Sequence, residues 1–250
     1  MPLFLFPALA TGLLLFFSSG TGRATDPNII VFLADDMGMG DTSVYQDWTG
    51  NKDDRQLHTP NMERIANMGV RFMDAHSPHS RCSTSRYALL TGRYCWRSSL
   101  KYWVLFGVQC DPLIEKPRPT IASFLRRNGY RTGMVGKWHL GIRYRREDGS
   151  PSKGWADADL TKPLADGPTD HGFDFFYGIS RSHPTSGPSG KQPNGPDQQR
   201  GPGWIHNRRI VGATGNGKQL DGSYVLERIG PTLHAKAFDF LRSATTSKKP

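Results

Sequence analysis

Two adjacent aspartates directly follow an apolar run near the start of the sequence. Residues 28–34 read Asn-Ile-Ile-Val-Phe-Leu-Ala, and Asp35 and Asp36 come next. A continuous β-branched and apolar run is typical of a strand buried on both faces of a parallel sheet. Ligands gather at the carboxyl ends of such strands, and paired carboxylates suit a hard divalent cation. The alternative interpretation of the two aspartates is a turn or a helix cap.

A cysteine lies four residues before an arginine in the segment Ser-Arg-Cys-Ser-Thr-Ser-Arg at 80–86. We predict that Cys82 begins a helix, where the helix dipole and the nearby cation of Arg86 both favour an anion. Three interpretations stay open at this point: an activated thiol, an oxyanion-binding turn, or a buried structural cysteine. The chain has three cysteines, an odd number, and in the structural interpretation Cys95 pairs with Cys110 across a short loop.

Lys137 and His139 follow a predicted strand at 130–135. Residues two apart in an extended chain project to the same side. We therefore expect the two side chains to reach one pocket, and that pocket to hold an anion.

The cysteine segment resembles the first signature of the sulfatase family. In that signature, Cys-x-Pro-x-Arg, a spacer and Leu-Thr-Gly-Arg direct oxidation of the cysteine to formylglycine. Cys82, Arg86 and the residues at 90–93 match it, whereas Thr84 stands where the family usually has proline.

Three further segments resemble the same family, and the resemblance runs from about Asn28 to about Leu241. Residues 136–141, Gly-Lys-Trp-His-Leu-Gly, are similar to the second sulfatase signature. The aspartates at 35–36 resemble the family's paired calcium ligands. Residues 171–178 resemble a segment of mainly structural role.

The resemblance implies a nucleophile and a cofactor. Formylglycine derived from Cys82 would be hydrated, so that one hydroxyl attacks the sulfur and the other drives release of sulfate. One calcium ion would be held by Asp35, Asp36 and residue 82, and would polarise the sulfate oxygens.

The resemblance also implies a role for each basic residue. Lys137 would offset the charge that develops on the sulfuryl group, and Arg86 would hold the aldehyde hydrate. His139 would act as a general base.

The order of predicted elements indicates an α/β fold. Helices predicted near 60–68, 120–128 and 232–241 alternate with strands, which favours a mostly parallel central sheet with helices on both faces. The resemblance implies the alkaline-phosphatase-like version of this fold, incomplete at its C-terminus. A region rich in Gly and Pro at about 149–222 is expected to form long loops.

Residues 1–24 resemble a secretory signal peptide, with an uncleaved membrane anchor as the alternative because no Lys or Arg precedes the apolar run. Residues 25–250 are expected to be the N-terminal part of a sulfatase catalytic domain. The protein is therefore expected to be exported, with no stable membrane span after cleavage, and to depend on a formylglycine-generating system. Family members need further calcium ligands, a lysine and a histidine that we do not find here, so we expect the chain alone not to turn over sulfate esters.

Charge and aromatic content bear on the substrate, whose sulfate ester group is implied by the resemblance. The formal net charge of +10 suits an anionic partner, but the basic residues are scattered, which is not typical of a nucleic-acid-binding protein. Trp48, Trp96, Trp103 and Trp155 are candidates for stacking on sugar rings, with core packing as the alternative. We expect a sulfated small molecule or glycan as substrate. A phosphoester hydrolase of the same superfamily and a non-catalytic anion-binding remnant are the competing interpretations.

Overall fold

The computed structural model describes residues 26–46, 57–106, 111–154, 157–182, 202–212, 224–247 and 249–250. Within them the helices are α1 (Pro60–Met68), α2 (Cys82–Thr91), α3 (Ile121–Arg127) and α4 (Leu226–Thr245). The strands are β1 (Gly133–Lys137), β2 (Phe175–Ile179), β3 (Ile205–His206) and β4 (Arg209–Ile210). Single 3-10 turns lie at Met39–Asp41, Cys95–Arg97 and Pro168–His171.

The strands form one sheet in the order β1-β2-β3-β4. β1 and β2 are parallel and in register from Gly133 opposite Phe175 to Lys137 opposite Ile179, whereas β2–β3 and β3–β4 are antiparallel. The α/β class is confirmed, but the described sheet is mixed rather than mostly parallel.

β2 corrects the expectation of a loop region across 149–222. Its residues form the buried strand between β1 and β3, with Phe176 and Ile179 fully enclosed. The region as a whole is rich in glycine and proline, which predicts loops. The five residues at 175–179 are nevertheless mostly apolar and are long enough for a strand.

β1 and β2 approach closely at a pair of glycines. Gly136 lies opposite Gly178, and a Cβ added at Gly178 would overlap the carbonyl oxygen of Gly136. The backbone of Gly136 has φ +126°, a conformation that side-chain-bearing residues rarely adopt. This local geometry brings the carboxyl ends of the two strands together.

Helix boundaries follow the capping signals in the sequence. Thr120 caps α3, because its hydroxyl accepts a hydrogen bond from the Ser123 amide at 3.0 Å, while the Ser123 hydroxyl accepts one from the Thr120 amide at 2.9 Å. α2 ends at Gly92 with φ +65°, the left-handed conformation that glycine accepts most readily. The start of α3 was predicted from Thr120 and the start of α2 at Cys82, whereas the end of α2 at Gly92 was not predicted.

The core lies where the sheet meets the helices and the segment after β1. Its largest enclosed side chains include Trp138, Phe176 and Trp204. α4 covers the strands through Phe240, which stacks on Phe175 with ring centroids 5.2 Å apart. Burial of such aromatic rings is the main favourable contribution to packing here.

The predicted buried strand at 28–34 is wrong for this structure. No helix or strand is assigned there, and the run from Ile29 to Leu33 is exposed, with Phe32 at 84%. The apolar pattern correctly shows side chains that favour burial, but the described residues place no neighbouring strand beside them to hydrogen-bond the backbone. α1 likewise has no buried residue.

Residues 1–24, the expected signal peptide, lie outside the described residues. Among the residues that are described, no helix has both the length and the apolar character required to cross a membrane.

We expect the exposed apolar run to make the chain self-associate, because contiguous apolar patches of this kind are unusual on monomers. The double substitution Ile30→Glu and Phe32→Glu should lower both the fluorescence of the dye 1-anilinonaphthalene-8-sulfonate and the fraction of oligomer in analytical ultracentrifugation. Tyr94→Glu, at an exposed aromatic stacked on Trp96, is the control and should change neither by a comparable amount. Equal effects of the two changes would contradict the expectation.

Candidate active site

Two basic side chains lie at the carboxyl ends of the parallel strands. Lys137 is the last residue of β1, and Arg181 comes two residues after β2 ends. Both are buried. Lys137 was predicted from the sequence and Arg181 was not, although a cation directly after an apolar run is the same kind of signal.

Asp35 lies against two cations, Lys137 and Arg86. The Lys137 ammonium donates a hydrogen bond to Asp35 Oδ2 at 2.7 Å, and Arg86 Nη2 is 3.5 Å from the same oxygen. Burial raises the pKa of Asp35, but the hydrogen bond and charge of Lys137, with the charge of Arg86, outweigh burial, so that the pKa is lowered. The carboxylate therefore stays ionised.

Asp36 and Cys82 complete a cluster with Asp35. One ligand atom from each of the three residues lies within 4.8 Å of the others. Cys82 is the first residue of α2, as predicted, and its Sγ marks the position that a formylglycine oxygen would take. Two carboxylates and an oxygen at residue 82 are donors that calcium accepts, so this part of the chain fits a calcium site.

Arg86 holds the end of β1 as well as Asp35. Its Nη1 donates to the Lys137 carbonyl at 2.6 Å, while its buried Nε has no hydrogen-bond partner among the described residues. Burial lowers the pKa of Arg86 and the Asp35 charge opposes this, but an arginine starts so high that the guanidinium stays protonated. An unpartnered buried donor is costly unless a ligand accepts from it.

His139 reaches the cluster by a turn rather than by strand alternation. β1 ends at Lys137, and His139 has φ +55°. The chain is therefore not extended between the two residues, and strand alternation does not place their side chains on the same side. Its Nε2 lies 2.7 Å from the Leu105 carbonyl, so Nε2 carries the proton, and Nδ1 is buried without a partner among the described residues.

The imidazole of His139 is held neutral. Burial lowers its pKa to about 4, helped by the charges of Lys137 and Arg86, while the hydrogen bond to Leu105 acts in the opposite direction. A neutral ring that donates through Nε2 leaves the Nδ1 lone pair available to accept a proton.

Thr84 occupies the position in α2 where the sequence departs from the signature. Its side chain is fully buried, and its hydroxyl donates to the Arg81 carbonyl at 3.0 Å. Thr84 lies in the first turn of the helix, where backbone amides lack an intrahelical partner. A proline there would lose this hydroxyl bond but no helical hydrogen bond.

The remaining cysteines do not join the site. Cys95 is a buried free thiol, and Cys110 lies outside the described residues, so the pairing of the two stays a prediction. Of the four candidate tryptophans, Trp48 and Trp155 also lie outside the described residues, and Trp96 stacks on Tyr94.

The chain matches one known protein family over most of its length. The family model for sulfatases matches residues 27–223. This chain belongs to the sulfatase family.

The sequence relatives of the chain are sulfatases as well. Human arylsulfatase G is 33% identical over 246 residues, 94% of this chain and 41% of that protein. Mouse arylsulfatase G is 38% identical over 168 residues, and human steryl-sulfatase 36% over 174 residues; each match covers 67% of the chain and 26% of the relative. The chain thus spans between about a quarter and two-fifths of the length of these relatives.

Solved structures confirm the expected fold. Ps i-CgsB superposes with a TM-score of 0.61 at 26% identity, over 90% of this chain and 43% of that one. A structure from work on the metabolism of multiple glycosaminoglycans by Bacteroides thetaiotaomicron gives a TM-score of 0.59 at 30% identity, over 77% and 33%. The PsFucS1 sulfatase from Pseudoalteromonas sp. gives 0.58 at 26%, over 87% and 41%.

We expect the free energy of unfolding to fall as the pH drops from 6.5, the ordinary pKa of histidine, towards the pKa of about 4 that His139 has in the folded chain. In that window the unfolded chain binds a proton that folded His139 does not, so stability falls by about 1.4 kcal/mol for each pH unit. The lowered pKa of Asp35 acts only below its ordinary value of 3.8 and does not contribute in this window.

Urea denaturation of wild type and His139→Gln at several pH values tests this expectation. The substitution His139→Gln should make the free energy of unfolding depend less steeply on pH. His234→Gln, at an exposed residue of α4, should leave the pH dependence unchanged. An unchanged slope in His139→Gln would show that the ring is not buried in its neutral form.

Proposed function

We propose that this chain provides the nucleophile and half of the anion site of an enzyme that hydrolyses sulfate esters. The observation that carries the proposal is that Asp35, residue 82, Arg86 and Lys137 meet at the carboxyl end of β1. These are the residues that the two sulfatase signatures and the aspartate pair would assign to catalysis.

Charge balance supports a divalent cation in this cluster. Asp35 and Asp36 bring two negative charges, and Arg86 and Lys137 bring two positive charges, so that the four side chains together are near neutral. A bound calcium ion would make the cluster positive, which a sulfate ester requires. When bound, the ion would supply polarisation of the sulfate oxygens and of the oxygen on residue 82.

Each protein side chain then has a role that its contacts support. Residue 82, at the positive end of α2, would present the attacking oxygen. Arg86 would donate from its unpartnered Nε, and Lys137 would neutralise charge that develops on the sulfuryl oxygens. His139 would accept a proton at Nδ1, because its ring is neutral and that atom is unpartnered.

For the substrate we propose a sulfated carbohydrate. The net charge of +10 favours approach of a polyanion. The structural neighbour from the work on glycosaminoglycan metabolism, at 30% identity, is consistent with this class. We also propose export through residues 1–24, and formylglycine formation by a dedicated modifying enzyme that the chain meets on that route.

Turnover is tested in a chimera in which residues 1–250 are followed by the remaining part of human arylsulfatase G. The chimera is produced with a formylglycine-generating enzyme and assayed on phenyl sulfate and phenyl phosphate. We expect the sulfate ester to be hydrolysed faster, and Cys82→Ala to abolish the reaction. Faster hydrolysis of the phosphate ester would establish a phosphoester hydrolase instead.

We expect Cys82 to be recovered as formylglycine in protein from its own cell. Mass spectrometry of the tryptic peptide 82–86 detects the modification. Thr84→Pro should raise the modified fraction without unfolding α2, because the proline would sit in its first turn. Recovery of only the cysteine form from the native source would favour the non-catalytic remnant.

We expect Asp35→Asn to lower calcium affinity about tenfold or more, and Lys137→Met to raise it about tenfold, because Lys137 competes with the cation for one carboxylate. Terbium luminescence with calcium competition measures both changes. Lys116→Met removes another lysine that is paired with a carboxylate, 3.0 Å from Asp166, and should leave the affinity unchanged. Unaltered binding in Asp35→Asn would place the cation elsewhere.

A further inference from the structure

Two exposed aromatic side chains lie close together in the segment after α2. Trp103 is 40% exposed and Phe106 is 57% exposed. Their ring centroids are 6.3 Å apart, with the ring planes tilted by 38°. We call Trp103 and Phe106 the aromatic wall.

The backbone between these two rings is fixed to the candidate site. The Leu105 amide donates to Ser83 Oγ at 3.1 Å, and the Leu105 carbonyl accepts from His139 Nε2 at 2.7 Å. The Phe106 carbonyl accepts from Arg181 Nη1. Exposed rings are thus carried on a backbone that three side chains of the site region immobilise.

These contacts place the wall beside residue 82. Ser83 follows Cys82 directly, and Arg81 precedes it. The Arg81 guanidinium lies over the Trp103 ring, 4.0 Å from its centroid, which is close enough for a cation–π interaction. Both chain neighbours of the nucleophile position therefore contact the segment that bears the wall.

We propose that the aromatic wall binds the ring of the alcohol portion of the sulfate ester, so that the enzyme prefers cyclic alcohols to open-chain alkyl alcohols. This proposal rests on the proposed function. Stacking on Trp103 would hold a flat ring, either an aryl group or a pyranose, while the sulfate occupies the cluster of Arg86 and Lys137. Rings held on an immobile backbone lose little entropy on binding.

Binding of four probes to the 250-residue chain in calcium tests the proposal without turnover. Calorimetry compares inorganic sulfate, propyl sulfate, phenyl sulfate and glucose 6-sulfate. We expect phenyl sulfate to bind about fivefold more tightly than propyl sulfate, which is the range of an aromatic pair. A similar preference for glucose 6-sulfate assigns a pyranose to the wall, and its absence assigns an aryl ring.

Two variants of the wall and one matched control identify the residues. Trp103→Leu keeps apolar bulk without a flat ring and should remove the preference, and Phe106→Leu should reduce it. Neither variant should change the affinity for inorganic sulfate. Trp96→Leu, at another exposed tryptophan that stacks on Tyr94, should leave the preference intact.

Three results would overturn the proposal. The wild type could show no preference for phenyl sulfate over propyl sulfate, Trp103→Leu could retain that preference, or Trp103→Leu could lose affinity equally for inorganic sulfate and phenyl sulfate. The last would show that Trp103 acts only through Arg81. Failure of the proposed function gives a different pattern, in which inorganic sulfate does not bind or binds independently of Lys137, while the ring preference still depends on Trp103.

Discussion

The ion pair between Lys137 and Asp35 is the contact on which the arrangement of the site depends. It joins the last residue of β1 to a segment that no helix or strand supports, across a sequence separation of 102 residues. Lys137 is buried, and a buried ammonium is tolerated only beside a counter-charge. Arg86 ties α2 to the same two residues, since it donates to the Lys137 carbonyl and lies by the Asp35 carboxylate. One carboxylate therefore sets where the strand end, the helix start and the aspartate pair meet.

The membership of the site could be predicted from the sequence because its residues lie in short contiguous motifs. Cys82 and Arg86 are one helical turn apart, so that a helix beginning at residue 82 places them together whatever surrounds it. The helix cap at Thr120 was equally local and was predicted from the residue type. The strand predicted at 28–34 was wrong, because a β-branched apolar run shows only that the side chains favour burial. Whether such a run becomes a strand depends on a neighbour that supplies hydrogen bonds.

Other features of the site arise from contacts between distant parts of the chain. The backbone of His139 has a positive φ that directs its side chain towards the cluster, and no periodicity of the sequence predicts that conformation. The hydrogen bond from the Leu105 amide to Ser83 uses a backbone group, and backbone groups carry no residue-type signal. Arg181 was missed for a further reason, since the composition around β2 resembles a loop. The four candidate tryptophans were alike in sequence, and of the two that the structure describes, Trp103 is distinguished from Trp96 by its contacts with Arg81 and Phe106.

The glycine pair at 136 and 178 makes the candidate site sensitive to mutation at positions that take no part in its chemistry. Neither residue carries a functional group, but a methyl group at Gly178 would force the Gly136 carbonyl to move, and with it the strand end that bears Lys137. A single-nucleotide change at codon 178 that encodes any other amino acid would therefore disturb the candidate site while every residue of that site is retained. In a population survey, an allele that encodes alanine would look conservative by residue size and yet displace the strand end that bears Lys137.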